Sequence, residues 1–149
     1  MENHSSNFYK NARRAAGYTQ ERWAEVLGVS VESVRNYECG KQTPNDDIVS
    51  LMAEVSGITQ LGYWHLKEKS KLAAQLLPEV ETVPLPQAVI QLICKIRDFA
   101  NAHRSDQLMD IAADGVIDAN ERLKFNEIVA ELEGIVQAAV QLKCAEGGK

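Results

Sequence analysis

The chain has 149 residues, 45% hydrophobic and 25% charged, the balance of an ordinary globular protein with one medium domain or two small ones. A formal net charge of −5 excludes a uniformly basic nucleic-acid binder, and no apolar run approaches a membrane span. Residues 1–7 are polar, so no signal peptide is expected. Cys39, Cys94 and Cys144 are odd in number and lack metal-ligand spacing, which fits reduced thiols of a cytoplasmic protein. Split at Ser70, the first part has 8 Lys+Arg against 9 Asp+Glu, and the remainder 8 against 12. The acidic excess therefore lies in the second part.

In chain order, a first helix is predicted from residue 5 or 6 to 16, with Phe8, Ala12 and Ala15 inward and Gly17 at its end. Thr19 is a good N-cap for a second helix whose inward residues are Trp23, Ala24 and Leu27. Gly28 supplies a left-handed stop, and Ser30 can cap a third helix. There Val34 and Tyr37 face inward, while Val31, Glu32, Ser33, Arg35 and Asn36 look out. Gly40 ends it and Pro44 prevents its continuation. Two short helices around a tight turn make the spacing of a helix-turn-helix. Asn45 caps a fourth helix with Ile48, Leu51, Met52 and Val55 inward, ending at Gly57. Thr59 opens a fifth helix containing Leu61, Tyr63, Trp64 and Leu66.

Three of the four prolines, Pro78, Pro84 and Pro86, fall close together, which predicts a linker over residues 71–85. Beyond it Val89, Leu92, Ile93, Ile96, Phe99 and Ala100 recur at helical spacing. A short segment with Leu108, Met109, Ile111 and Ala112 follows. A long last helix is expected over residues 119–143, with Asp118 and Glu121 as a capping pair. Along it Ile128, Leu132, Ile135, Ala139 and Leu142 step by four and three, beside a second row of Phe125, Val129, Val136 and Val140. So wide a stripe predicts deep burial, in its own bundle or against a second copy.

Residues 5–66 resemble the Xre-type DNA-binding domain of the lambda-repressor and Cro kind. The resemblance rests on Thr19-Gln20, Ala24, Gly28-Val29-Ser30, and the exit Glu38-Cys39-Gly40-Lys41-Gln42-Thr43-Pro44. It implies an all-α protein, with a five-helix lambda-repressor-like domain over residues 1–70 and a small helical domain over 86–149. It also implies a DNA-binding transcriptional regulator, most simply a bacterial, phage or mobile-element repressor that binds double-stranded DNA as a homodimer. By the family's positions Val31, Glu32 and Asn36 are base readers, with Ser33 and Arg35 near bases or phosphates. Asn36 suits adenine, Glu32 suits cytosine N4, and Val31 suits a thymine methyl. Gln20, Lys41, Gln42 and Thr43 are expected at phosphates. An Arg at position 13 implies an ion pair with Glu38 rather than a phosphate contact. Trp23 and Val26 depart from the family's usual Leu and charged residue. The last third resembles, more loosely, the C-terminal parts of some bacterial regulators of this type, a likeness that brings no activity with it.

Local DNA affinity would rest on Lys10, Arg13, Arg14, Arg22, Arg35 and Lys41. Dimer contacts are expected from the last helix and from around Tyr63 and Trp64. The alternative reading is a protein-interaction module, antitoxin-like or an adaptor, that uses the helix-turn-helix as a scaffold and offers its acidic half to a basic partner. Residues 110–121 also fit a twelve-residue calcium loop, with Asp110, Asp114, Asp118 and Glu121 at ligand positions. Ala112 leaves position 3 without an oxygen, so helix capping is the better reading and no metal or other cofactor is expected. His4, His65 and His103 lie far apart and no catalytic motif is present, so no enzyme activity is expected.

Overall fold

The computed structural model describes the backbone over residues 4–145 and side chains over 8–145. The reading of residues 1–7 as a polar opening, the His4 side chain and the chain's last four residues therefore lie outside the described ones. Among the described residues the fold is all-α. The helices are α1 His4–Ala15, α2 Gln20–Leu27, α3 Val31–Glu38, α4 Asp46–Ser56, α5 Gln60–Lys69, α6 Lys71–Leu76, α7 Leu85–Asn101, α8 Arg104–Ala112 and α9 Arg122–Ala145. They form two compact units that divide between Leu77 and Pro78.

In the first unit each helix boundary has a local cause. Thr19, Ser30 and Asn45 take extended backbone, and their side chains accept the N–H groups of Arg22, Ser33 and Ile48. Gly28 closes α2 at φ 66°, which lets Val29 N–H reach the Ala24 carbonyl at 3.0 Å and turns the chain into α3. Apolar burial then fixes how the helices pack. Trp23, Val34, Met52 and Leu61 are each at most 1% exposed, and Tyr9, Ala12, Ala24, Leu27, Tyr37 and Val49 complete the core. Trp23 is accommodated fully, with the Tyr18 ring beside it at 5.5 Å between centroids. Val26, the other departure, sits half-buried rather than fully exposed.

Several faces differ from the sequence reading. On α1, Tyr9 is buried and Ala15 is exposed, because α1 packs against α3, α4 and α5 and more than one side of it is covered. On α4, Val49 is buried with Met52, while Ile48, Leu51 and Val55 are only half-covered. On α3, Val31 is half-buried against the core instead of pointing out. Thr59 has helical backbone and makes no side-chain cap bond to α5. The chain does not run straight from α5 into a linker. Ser70 breaks the helix in extended geometry, and its hydroxyl accepts from Ala73 N–H at 3.2 Å to start α6. Residues 71–76 of the expected linker are thus helical.

The second unit opens with an extended stretch, then α7, whose Pro84 and Pro86 stand at the cap and first turn. There a missing N–H costs no intrahelical bond. Val80 is buried, and the Glu79 carbonyl accepts from Gln137 Nε2 at 3.0 Å. His103 turns the chain at a left-handed φ of 53° into α8. Arg104 joins α8 to α9 through Glu131, at 3.0 Å from Nε and 2.5 Å from Nη2. Ahead of α9, Asp118 accepts from Glu121 N–H while Glu121 accepts from Asp118 N–H, at 2.9 and 3.2 Å. This is a reciprocal cap, and Asp110 lies inside α8 rather than in a loop.

The stripe along α9 is not buried as one row. Ile128 is wholly covered, but Ala139 is exposed and its inward place belongs to Ala138, Gln141 and Cys144. The two halves of α9 are held from different sides, Glu131 by Arg104 and Gln137 by the Glu79 carbonyl. A single heptad seam therefore cannot describe it.

Candidate nucleic-acid interface

The outward side of α3 and the turn after it are positioned by a polar clamp below them. Arg13 Nε donates to Glu38 Oε1 at 2.5 Å, Nη2 to Oε2 at 3.2 Å, and Nη1 to the Tyr18 carbonyl at 2.7 Å. The two side chains are only 11% and 7% exposed. A bidentate, nearly buried pair of this kind ties α1 to the end of α3 and leaves neither charge unpaired. Glu38 Oε2 also accepts from Gln20 Nε2 at 2.8 Å, and Gln20 Oε1 lies 3.4 Å from Arg35 Nε. One connected chain, Arg13–Glu38–Gln20–Arg35, thus runs from the core to the surface.

On the surface Glu32 and Arg35 are exposed, with Arg35 Nη1 4.0 Å from the Glu32 carboxylate. Ser33 is half-buried and its hydroxyl lies 2.9 Å from Ser30 Oγ. Asn36 is half-buried, and its backbone carbonyl accepts from Lys41 N–H at 3.0 Å and Gln42 N–H at 3.2 Å. That carbonyl folds the exposed turn of Lys41, Gln42 and Thr43 against the end of α3, and Gly40 adopts φ 74° to permit it. The structure so gathers Gln20, Glu32, Ser33, Arg35, Asn36 and the 41–43 turn on one side of the unit. Val31 stands partly withdrawn into the core.

The charges there are more constrained than their number suggests. Arg13 is committed to the clamp and Arg22 pairs with Glu25 at 2.5 Å, while Arg14 and Lys41 are exposed. Glu21 adds a carboxylate at the start of α2. Its own backbone N–H, then the Thr19 hydroxyl, hold its carboxyl below the ordinary value. Through Leu77 the sequence carries 9 Lys+Arg against 9 Asp+Glu, so attraction to a phosphate backbone comes from local placement alone.

Sequence reasoning missed a second polar chain in this unit, which starts from Tyr9, one turn before Arg13 on α1. Tyr9 OH lies 2.7 Å from His65 Nδ1, His65 Nε2 lies 3.1 Å from Asp46 Oδ1, and Lys69 Nζ donates to the same oxygen at 2.6 Å. His65 is 2% exposed. The chain closes α1, α4 and α5 on one another. Burial, with Glu68 nearby, pushes the Tyr9 phenol up to about 12. Lys69, then His65, hold the Asp46 carboxyl below its ordinary 3.8. These partners are 19 to 56 residues apart in sequence, and no local spacing announces them.

With this geometry in hand, residues 10–63 match the family model described as Helix-turn-helix. This part of the chain is a helix-turn-helix domain of the Xre, lambda-repressor-like kind, the domain of DNA-binding transcription regulators. Neither the curated proteins nor the solved structures give a match to the chain. Among the described residues no helix is long and apolar enough to cross a membrane.

Proposed function

We propose that the protein is a sequence-specific transcriptional repressor that reads the major groove with α3. The observation behind this reading is the Arg13–Glu38–Gln20–Arg35 chain, which fixes a polar helix face beside the exposed turn of Lys41, Gln42 and Thr43. A groove-reading helix needs such rigidity, since a bidentate contact to a base edge tolerates little displacement. Asn36 and Arg35 are the principal base readers, Glu32 selects against phosphates out of register, and Gln20, Ser33, Lys41, Gln42 and Thr43 hold the backbone. Val31 contributes a methyl contact at the edge of the face.

One short helix reads few base pairs, so the regulator works as a two-fold dimer on half-sites about one helical turn apart. The dimer face we favour is on α7, where Ile90, Ile93 and Ile96 are 62%, 56% and 49% exposed. Its outward arc carries these isoleucines and Ala100, with Arg97 as the charged residue among them, so a copy of the same face would have to place Arg97 at its rim. Trp64, for its part, packs on Phe8 within the first unit at 6.0 Å between ring centroids.

The test is selection from a random duplex pool followed by a salt titration on the enriched site. A palindromic site, a steep salt slope, and loss of enrichment in an Arg35→Ala, Asn36→Ala variant that melts normally are the expected results. Absence of enrichment at low salt would sink the reading. Ile93→Glu, measured by light scattering, separates the dimer from the readout.

A further inference from the structure

Position in the helix alone leaves Arg35 near bases or phosphates, and its neighbours favour one of the two. The Glu38 carboxylate, paired with the Arg13 guanidinium, can only accept, so the Gln20 atom 2.8 Å from its Oε2 is the amide nitrogen. That fixes the amide one way round. Gln20 Oε1 is then the atom 3.4 Å from Arg35 Nε, an acceptor meeting a donor. Gln20 is half-buried and cannot turn over without giving up its bond to Glu38. One turn back along α3, the Glu32 carboxylate lies 4.0 Å from Arg35 Nη1.

Arg35 is thus held at its inner edge. With Nε engaged, the donors left for a ligand are on the two terminal nitrogens, and the side chain is 56% exposed. Two N–H bonds from those nitrogens fit guanine, whose O6 and N7 are adjacent acceptors in the major groove. No other base edge offers such a pair: adenine sets an amino donor beside N7, thymine shows one oxygen, and cytosine shows a donor. A phosphate accepts the same fork, but it would bring a second negative charge beside Glu32, whereas the acceptors of guanine are neutral. Resting on α3 as the groove-reading helix, we propose that Arg35 reads a guanine in the half-site through its terminal nitrogens, and that Gln20 is the residue that positions it.

The test uses the full-length protein and the duplex enriched from the random pool. That duplex should carry an invariant guanine, and its replacement by adenine should lower affinity roughly 5- to 100-fold, the reach of one bidentate base contact. Arg35→Lys keeps the charge but not the fork, so it should lose the preference for guanine over adenine while the salt slope stays the same. Gln20→Ala should shrink that preference severalfold, again with the slope unchanged, since no cation is removed. In an Arg35→Ala background, Gln20→Ala should have no further effect on the preference, the mark of a residue that acts through another. Arg35 is exposed, and Arg13 keeps its two bonds to Glu38 in every one of these variants, so they should melt close to the parent protein. Three results would each overturn the proposal while leaving α3 as the reader. They are an enriched site without that guanine, an Arg35→Ala loss that is equal on all duplexes and lowers the salt slope by about one, and a Gln20→Ala effect on the preference that persists without Arg35. No enrichment of any duplex would remove the groove-reading role of α3 itself, and this proposal with it.

Discussion

The two units use their apolar residues in opposite ways. The first closes a core around Trp23, Val34, Met52 and Leu61 and leaves a polar face outside, held by the Arg13–Glu38 pair, with its last helix α6 the exception, where Leu72 and Leu76 are 64% and 74% exposed. The second leaves Ile90, Ile93, Met109, Val116, Leu123 and Val136 more than half exposed. Apolar surface left in water forgoes about 25 cal/mol for each Å² that burial would remove. The contrast separates a unit that closes a core of its own around aromatic and aliphatic side chains from one that leaves many of its large apolar side chains in water.

The largest expected effect breaks that rigidity. Glu38→Ala strands the Arg13 guanidinium under the core and should cost the first unit about 3–5 kcal/mol. Both tryptophans, Trp23 and Trp64, lie in that unit, so urea melts followed by tryptophan fluorescence report it alone. The same variant followed by helical circular dichroism should show a second transition left in place, and a single shifted transition in both signals would mean that the units unfold together. Next in size, Asn36→Ala should lower affinity for the selected duplex by about 1–3 kcal/mol, the range for a bidentate base contact, with the fluorescence melt unchanged. A loss of stability instead would make Asn36 part of the scaffold.

Smaller effects come from pH. The Tyr9 phenol has a folded value of about 12 against an ordinary 10.0, so the folded state holds its proton more tightly. Its contribution is complete below 10 and is lost as pH rises toward 12. Tyr9→Phe should flatten the alkaline fall in stability of the first unit; an unchanged slope would assign that fall to other groups. Asp46 has the opposite sign. Its carboxyl is depressed in the fold, so its contribution is present above 3.8 and is lost as pH falls through the lower folded value, an acid limb that Asp46→Asn should make shallower while leaving the part due to Glu21. The smallest effect concerns the thiols. Cys39 is exposed beside the α3 exit, whereas burial pushes the Cys144 thiol up. A maleimide should modify Cys39 first and Cys144 only on unfolding, and that first adduct should weaken DNA binding by obstructing the 41–43 turn. Early labelling of Cys144 would show that the second unit opens readily.

Much of the first unit was legible because its signals are local. Thr19, Ser30 and Asn45 cap the helix that follows within three residues, and the stop at Gly28 depends on its own φ. The inward positions of Trp23, Ala24, Leu27, Val34 and Tyr37 follow from the helical period within a few turns. Burial of Tyr9 and Val49 and exposure of Ala15 were not legible, since a helix touching several neighbours has no single apolar side. On α9 the double row from Phe125 to Leu142 predicted deep burial of a wide stripe, but Val136 and Ala139 are exposed and the covered places fall to Ile128, Ala138, Gln141 and Cys144. The Asp118 and Glu121 pair was readable as a cap for the same reason as Thr19, being only three residues long.

By itself, then, the amino-acid sequence determined that this is an all-helical chain with a helix-turn-helix near its start, because caps, glycine stops and the 3.6-residue period act over a few residues. Only the tertiary structure decided which side chains meet. The Tyr9–His65–Asp46–Lys69 chain, the link from Arg13 through Gln20 to Arg35, and the apolar groove between α8 and α9 all join residues brought together by packing. A local pattern can say that a face is apolar or charged, but what lies opposite that face is settled by the rest of the chain.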